Sequence, residues 1–209
     1  MSRTGAPDAS GWVVVPLTPT DYVDYLDFHD RAFRDHREWQ HCYCLSFIAT
    51  PAEWDMLNAV DRASSQRRRI AESCLAAGRI RGYLARDDSG AVVGWCAAAD
   101  KTSYARLSYP ETPDGYLRSR TGFIGAHTAG RTKSVTCFLI DPDHRHRGVA
   151  TALLQRVVSD ARAEGCEAVE GCAEGTNAFT GPLALYEHAG FAPVAVDHDM
   201  TIMRLLLIS

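Results

Sequence analysis

The stretch from Val135 to Glu170 constrains the fold more than any other part of the chain. It runs through an apolar segment, Val135-Thr136-Cys137-Phe138-Leu139-Ile140, a polar turn, an amphipathic segment from about Val149 to Ala163, and a short strand-like segment around Ala168-Val169-Glu170. The first segment predicts a buried strand. In the amphipathic segment Val149, Leu153, Val157 and Ala161 fall on one stripe, Leu154 and Val158 widen it, and Gly165 supplies a stop. Strand, turn, helix and strand in that order predict two parallel strands joined by a right-handed crossover, with the helix packed on one face of the sheet.

The turn carries the chemistry. It reads Asp141-Pro142-Asp143-His144-Arg145-His146-Arg147-Gly148-Val149-Ala150. Gly148 permits backbone geometry closed to other residues, and the small Ala150 keeps a side chain off the same surface. The first turn of the helix presents unpaired N–H groups and the positive end of its dipole, a ready site for a diphosphate. Arg145, His146 and Arg147 concentrate positive charge there in a chain whose formal net charge is -4. By itself this supports an anion site at a helix start or, equally, a helix entry with solvated arginines.

The rest of the chain sets the frame. Met1 to Ser10 reads as a frayed tail before a single domain over 11–209, which opens with the strand-like Trp12-Val13-Val14-Val15. Asp21 to Arg37 has near-helical apolar spacing with Thr18 or Thr20 as cap, and Ser65 to Ala77 reads as a helix ending at Gly78. Arg67-Arg68-Arg69 on that helix reads as a solvated face rather than a phosphate site. Arg81–Ala85 and Val92–Ala99 flank Asp87-Asp88-Ser89-Gly90, which predicts a hairpin. Lys101 to Lys133 loses periodicity and reads as a long loop that lines or covers a substrate site.

Composition excludes several classes. The net negative charge offers no general field for nucleic acid, so no nucleic-acid partner is expected. The longest apolar runs, such as Leu205-Leu206-Leu207-Ile208, are too short to span a bilayer, so no membrane partner is expected either. Seven cysteines at irregular spacing, with no basic-then-apolar start, predict a reduced, cytoplasmic protein. His36, His41, Cys42 and Cys44 cluster, but Cys-x-Cys without a second pair is a poor zinc pattern, and no metal site is expected.

Arg145-x-x-Gly148-x-Ala150, between an apolar strand and an amphipathic helix, resembles the signature of the GCN5-related N-acetyltransferase superfamily. Leu185-Tyr186-Glu187-His188-Ala189-Gly190-Phe191 is similar to that family's later helix-to-strand segment, and together the likeness covers roughly Val92 to Leu206. Arg147 departs from the smaller or lysine side chain many relatives carry. The resemblance implies an α/β (α+β) fold, a mixed, mostly antiparallel sheet with one parallel strand pair at the cofactor site and helices on both faces. It implies acetyl-CoA as acyl donor, with the diphosphate on the main chain of Arg145, His146, Arg147, Gly148, Val149, Ala150 and Thr151. The pantetheine arm would run beside Phe138, Leu139 and Ile140, with a strand N–H on the thioester carbonyl.

The resemblance further implies direct attack by a primary amine of a small molecule or peptide. Tyr186 matches the family's general acid, and as a phenol of pKa about 10 it is protonated at neutral pH. Glu170, where the parallel strands should separate, is the first candidate base. Asp141 is a weaker one, since an acid before a helix often serves as a cap. Asn177 resembles in position residues that contact the cofactor arm. A non-catalytic acyl-CoA sensor would keep the same cradle. Relatives are often dimers, and the apolar tail from Leu205 to Ile208 fits either a last strand within the sheet or a contact with a second copy, so a homodimer stays open.

Overall fold

Short local signals start the helices that cover one face of the sheet. A computed structural model describes residues 11–35, 41–59, 65–104, 130–174, 179–197 and 200–207. After β1 (Val13–Pro16), Thr18 and Asp21 form a capping box around a 3-10 turn, Pro19–Asp21, that leads into α1 (Tyr22–Ala32). Next come α2 (Leu45–Ile48) and α3 (Pro51–Ala59). At α3 the Glu53 carboxylate accepts the Thr50 N–H at 2.8 Å, and the Thr50 hydroxyl accepts the Glu53 N–H at 3.3 Å. Thr-Pro-x-Glu is therefore a reciprocal helix start with proline at the first helical position. The fourth helix, α4 (Ser65–Ala76), precedes the hairpin of β2 (Gly82–Arg86) and β3 (Val92–Asp100).

The C-terminal half supplies β4 (Thr132–Ile140), α5 (Val149–Ala163), β5 (Ala168–Glu174), α6 (Leu183–His188), β6 (Ala192–Asp197) and β7 (Met200–Leu206). Among the described residues the strands form one seven-stranded sheet in the order β1-β2-β3-β4-β5-β7-β6. Only β4 and β5 run parallel; every other pair is antiparallel. This is the mixed, mostly antiparallel sheet expected, and α5 spans the residues its apolar stripe predicts.

Side-chain alternation assigns the two faces. Val135, Phe138, Val169 and Met203 join the core under α5 and α6, whereas Cys137, Leu139, Cys172 and Ile202 face the layer of α1 to α4. From α5, Val149, Ala152, Leu153, Leu154, Val157, Val158 and Ala161 are all buried. Each large apolar side chain so buried contributes about 1.5–3 kcal/mol. No helix among the described residues is long and apolar enough to cross a membrane.

Several boundaries differ from the sequence reading. Helix α1 stops at Ala32, five residues short of Arg37, with Phe33 as its cap. Strand β5 continues to Glu174 because it pairs with β7 along its full length. Leu205 and Leu206 belong to β7, which lies between β5 and β6 inside the sheet. The arginine run on α4 is not a solvated face: Arg67 is buried and donates to the Leu57 carbonyl at 2.5 Å, and Arg68 pairs with Asp27 and Asp30 on α1. His36, Trp39, Asn177 and most of the long loop after Ser103 lie outside the described residues.

Leu153 is fully buried between α5 and the sheet, so Leu153→Ala should lower stability by about 2–5 kcal/mol in urea unfolding. Val23, on the exposed side of α1, is the control, and its alanine variant should stay within about 0.5 kcal/mol of wild type. Equal losses would contradict this packing.

Candidate functional site

The site begins where two strands part. The parallel pairing of β4 with β5 runs from Thr132↔Ala168 to Val135↔Gly171 and stops. On the other edge of β4, Ala97 pairs with Cys137 while Ala98 pairs with Val135, which makes Thr136 an extra, bulged residue. A bulge bends its strand and raises the local twist. Beyond it β4 stays with β3 up to Ile140, while β5 stays with β7. A cleft opens between them, lined by Ser134, Thr136, Glu170, Gly171, Cys172 and Ile202.

At the open end of the cleft, β4 runs directly into the turn. Asp141 caps a 3-10 turn, Pro142–His144, by accepting the Asp143 N–H at 3.0 Å. Burial alone pushes its carboxyl up, but that N–H and the Arg34 guanidinium outweigh it and hold Asp141 below the usual carboxylate range. Asp141 is thus a cap tied to Arg34, not a free base. His146 then adopts φ 60° and Gly148 φ 82°, both left-handed. Gly148 is the N-cap of α5 and no side chain caps that helix. The N–H groups of Gly148, Val149, Ala150 and Thr151 therefore have no acceptor in the helix. Such concave runs of main-chain N–H groups attract anions.

Charge around the turn is graded. Arg145 lies 3.7 Å from Asp35, and Arg34 pairs with Asp141 and Asp143. Arg147 and His146 are exposed, and Arg147 makes no ion pair among the described residues. Its carbonyl accepts the Trp12 indole N–H at 3.0 Å, which ties the turn to the start of β1. Of the two arginines of the turn, Arg145 has a carboxylate neighbour, and Arg147 has none among the described residues.

Both proposed reacting side chains are buried. Glu170 is 2% exposed and stands opposite Ser134 across the parallel pair. Its Oε2 accepts from Lys101 Nζ at 2.9 Å, and its Oε1 accepts from Arg204 through Nε at 2.7 Å and through Nη2. With about two lone-pair positions on each oxygen, one acceptor position remains, on Oε2. Tyr186 is 0% exposed; its ring lies on the bare backbone of Gly171 and its hydroxyl donates to the Thr180 carbonyl at 2.8 Å. Desolvation first, then the neighbouring Cys172, Cys96 and Cys137, raise the phenol well above its ordinary pKa. Burial thus keeps the Tyr186 phenol in its neutral, protonated form.

Phe138, Leu139 and Ile140 form the free edge of β4 along the cleft, and the Phe138 N–H donates to the Phe179 carbonyl at 2.6 Å. Tyr186 and Phe138 approach edge to face at 6.4 Å between centroids, so the expected acid and the expected strand N–H do share one corner. Sequence reasoning missed Lys101 and Arg204, the partners of Glu170. Arg204 faces Glu170 only through the register of β7 on β5, which no local pattern announces. It also missed the hydroxyl side of the cleft, Ser134 and Thr136. Cys44 is buried and accepts the Trp95 indole N–H at 3.2 Å.

A parted parallel pair with an uncapped helix start at its mouth is the arrangement that the resemblance drawn from the sequence implies for an acyl-donor site. The family model described as Acetyltransferase (GNAT) family matches residues 23–191, and the chain belongs to that family. A mycothiol acetyltransferase from Beutenbergia cavernae is 47% identical over 57 residues, 27% of this chain and 18% of that protein, so the chain spans under a fifth of that relative's length. A Corynebacterium glutamicum structure described as histone acetyltransferase HPA2 and related acetyltransferase overlays with a TM-score of 0.53 at 22% identity, covering 91% of this chain and 93% of that one. The phosphinothricin acetyltransferase of Sinorhizobium meliloti, solved in complex with acetyl-CoA, overlays with a TM-score of 0.53 at 16% identity, covering 94% and 89%.

Replacing Glu170 by glutamine leaves Lys101 and Arg204, each at most 14% exposed, without a counter-charge. Glu170→Gln should therefore destabilise the fold by about 3 kcal/mol in equilibrium denaturation. A change within about 0.5 kcal/mol, typical of a surface substitution, would show that these ions remain solvated.

Proposed function

We propose that the chain moves the acetyl group of acetyl-CoA to a primary amine of a small molecule or peptide by direct attack on the thioester. A carbon–nitrogen bond forms, the carbon–sulfur bond breaks, the amine gives up a proton and the departing thiolate takes one. The observation that carries this reading is the uncapped, left-handed entry to α5 at the mouth of the β4–β5 cleft. Membership of the acetyltransferase family supports it, as does acetyl-CoA bound in a structural neighbour.

In this reading the diphosphate takes the N–H groups of Gly148 to Thr151, with Arg147 as an added cation. The acyl arm lies along Phe138 to Ile140, and the Phe138 N–H polarises the thioester carbonyl as negative charge develops on its oxygen. Tyr186 protonates the thiolate. An amine of pKa about 10.4 arrives mostly protonated, so a proton must leave before attack. The remaining acceptor position on Glu170 Oε2, or a water held between it and Ser134, receives that proton. Asn177 is assigned to the arm by resemblance. The likeness to a mycothiol acetyltransferase makes a small-molecule amine the first class to try.

A second reading, an acyl-CoA-binding module without turnover, is favoured by one observation: the single proton of Tyr186 and three of the four acceptor positions of Glu170 are already committed. Thiol release measured across a panel of amines separates the two, since a binding module releases none.

Titration with acetyl-CoA tests the cradle. Gly148→Glu places a carboxylate among the N–H groups at a backbone φ of 82° and should abolish binding. Arg147→Ala should weaken it only about fivefold, the share of one exposed charge; equal losses would mean that side chains, not main chain, hold the diphosphate. In turnover, Tyr186→Phe should lower kcat about 100-fold and leave the acetyl-CoA KM unchanged. An unaltered kcat would remove Tyr186 from the mechanism.

A further inference from the structure

The proposed reaction gives the thioester two protein groups, the Phe138 N–H for its carbonyl oxygen and the Tyr186 hydroxyl for its sulfur. In this structure both are held by carbonyls of consecutive residues. Phe138 N–H donates to the Phe179 carbonyl at 2.6 Å, and Tyr186 O–H donates to the Thr180 carbonyl at 2.8 Å. These two carbonyls sit on a short strap, Phe179 to Pro182, that leads into α6.

The strap is seated firmly. The Phe179 ring packs against Phe33 of the helical layer with 5.4 Å between centroids. Gly181 turns the chain with φ 93°, so close to the site that a Cβ there would lie 3.2 Å from the rings of both Phe138 and Tyr186. A main-chain N–H serves one strong acceptor, and a phenol has one proton to give. The strap and a thioester therefore compete for the same two donors. Without the strap those donors would stand unpaired in a buried corner, which folded proteins avoid.

We propose that the Phe179–Pro182 strap is a self-inhibitory contact that takes the donor's place in the ligand-free protein and must turn outward for acetyl-CoA to seat its thioester. This rests on the donor reading above. The closed strap lowers the apparent affinity for the donor by the fraction of molecules in which it is open. Loosening the strap then tightens binding, the reverse of what a loop built to grip the donor would give.

The test titrates acetyl-CoA into wild type, Phe179→Ala and Gly181→Ala, with near-ultraviolet circular dichroism to establish that each is folded. Phe179→Ala removes the contact with Phe33 and keeps the carbonyl; Gly181→Ala disfavours the left-handed turn, so either variant alone can carry the test. Both should bind acetyl-CoA about 3–10-fold more tightly than wild type. Hydrogen exchange at the Phe138 amide should be slow in unliganded wild type and faster in both variants. Acetyl-CoA binding by wild type with equal or weaker binding by the variants overturns the strap and leaves the donor reading standing. No acetyl-CoA binding by wild type or by either folded variant overturns the donor reading, and the strap's proposed role with it.

Discussion

Everything at the site depends on β4 and β5 ceasing to be partners after Val135 and Gly171. The bulge at Thr136 falls at the next residue of β4, and its added twist turns the strand away from β5. A parting of this kind has a chemical consequence: main-chain donors that a continuous sheet would pair are left needing acceptors. It also has a directional one. The edge of β4 that becomes available leads straight into the turn whose end is the uncapped start of α5. One backbone irregularity thus aligns a line of hydrogen-bond donors, a helix dipole and an exposed cation.

Around that opening, charge is arranged so that little of it is loose. Glu170 is buried with two cations, Arg34 and the Asp143 N–H fix Asp141, and Arg145 leans toward Asp35. Lys101 and Arg204 hold Glu170 in the cleft that Ser134 and Thr136 also line. Tyr186 is kept neutral by burial rather than by a charged partner. In the opposite wall, α2 to α4 form an apolar pocket of about 190 Å³, open to solvent, beside Leu45, Ile48, Met56 and Ile70, with the Arg79–Glu53 ion pair at its lining.

Much of the frame was legible because it is written in local patterns. The apolar stripe of α5 predicts its bounds, the Asp87–Gly90 turn predicts the hairpin, and Gly148 predicts the left-handed cap. Helices α2 and α3 are too short to show an apolar period, and Thr50-Pro51-x-Glu53 is the one local signature that marks the start of α3. The bulge at Thr136, the pairing of Glu170 with Arg204, and the Phe179 and Thr180 carbonyls over Phe138 and Tyr186 arise from strand register and chain crossing. Residues far apart in sequence meet there through main-chain atoms, which carry no residue-type signal. Side-chain identity could point to Tyr186 and Glu170 but not to what already holds them.

If the proposed function holds, the end of β4 and the start of α5 form one continuous donor site. A crystal structure of the protein with acetyl-CoA tests it most directly. The diphosphate oxygens should accept from the N–H groups of Gly148 to Thr151 and the thioester carbonyl from the Phe138 N–H, with the Phe179 carbonyl displaced from it. A diphosphate seated elsewhere, over α4 or in the cavity beside Met56, or a thioester remote from Phe138, would contradict it.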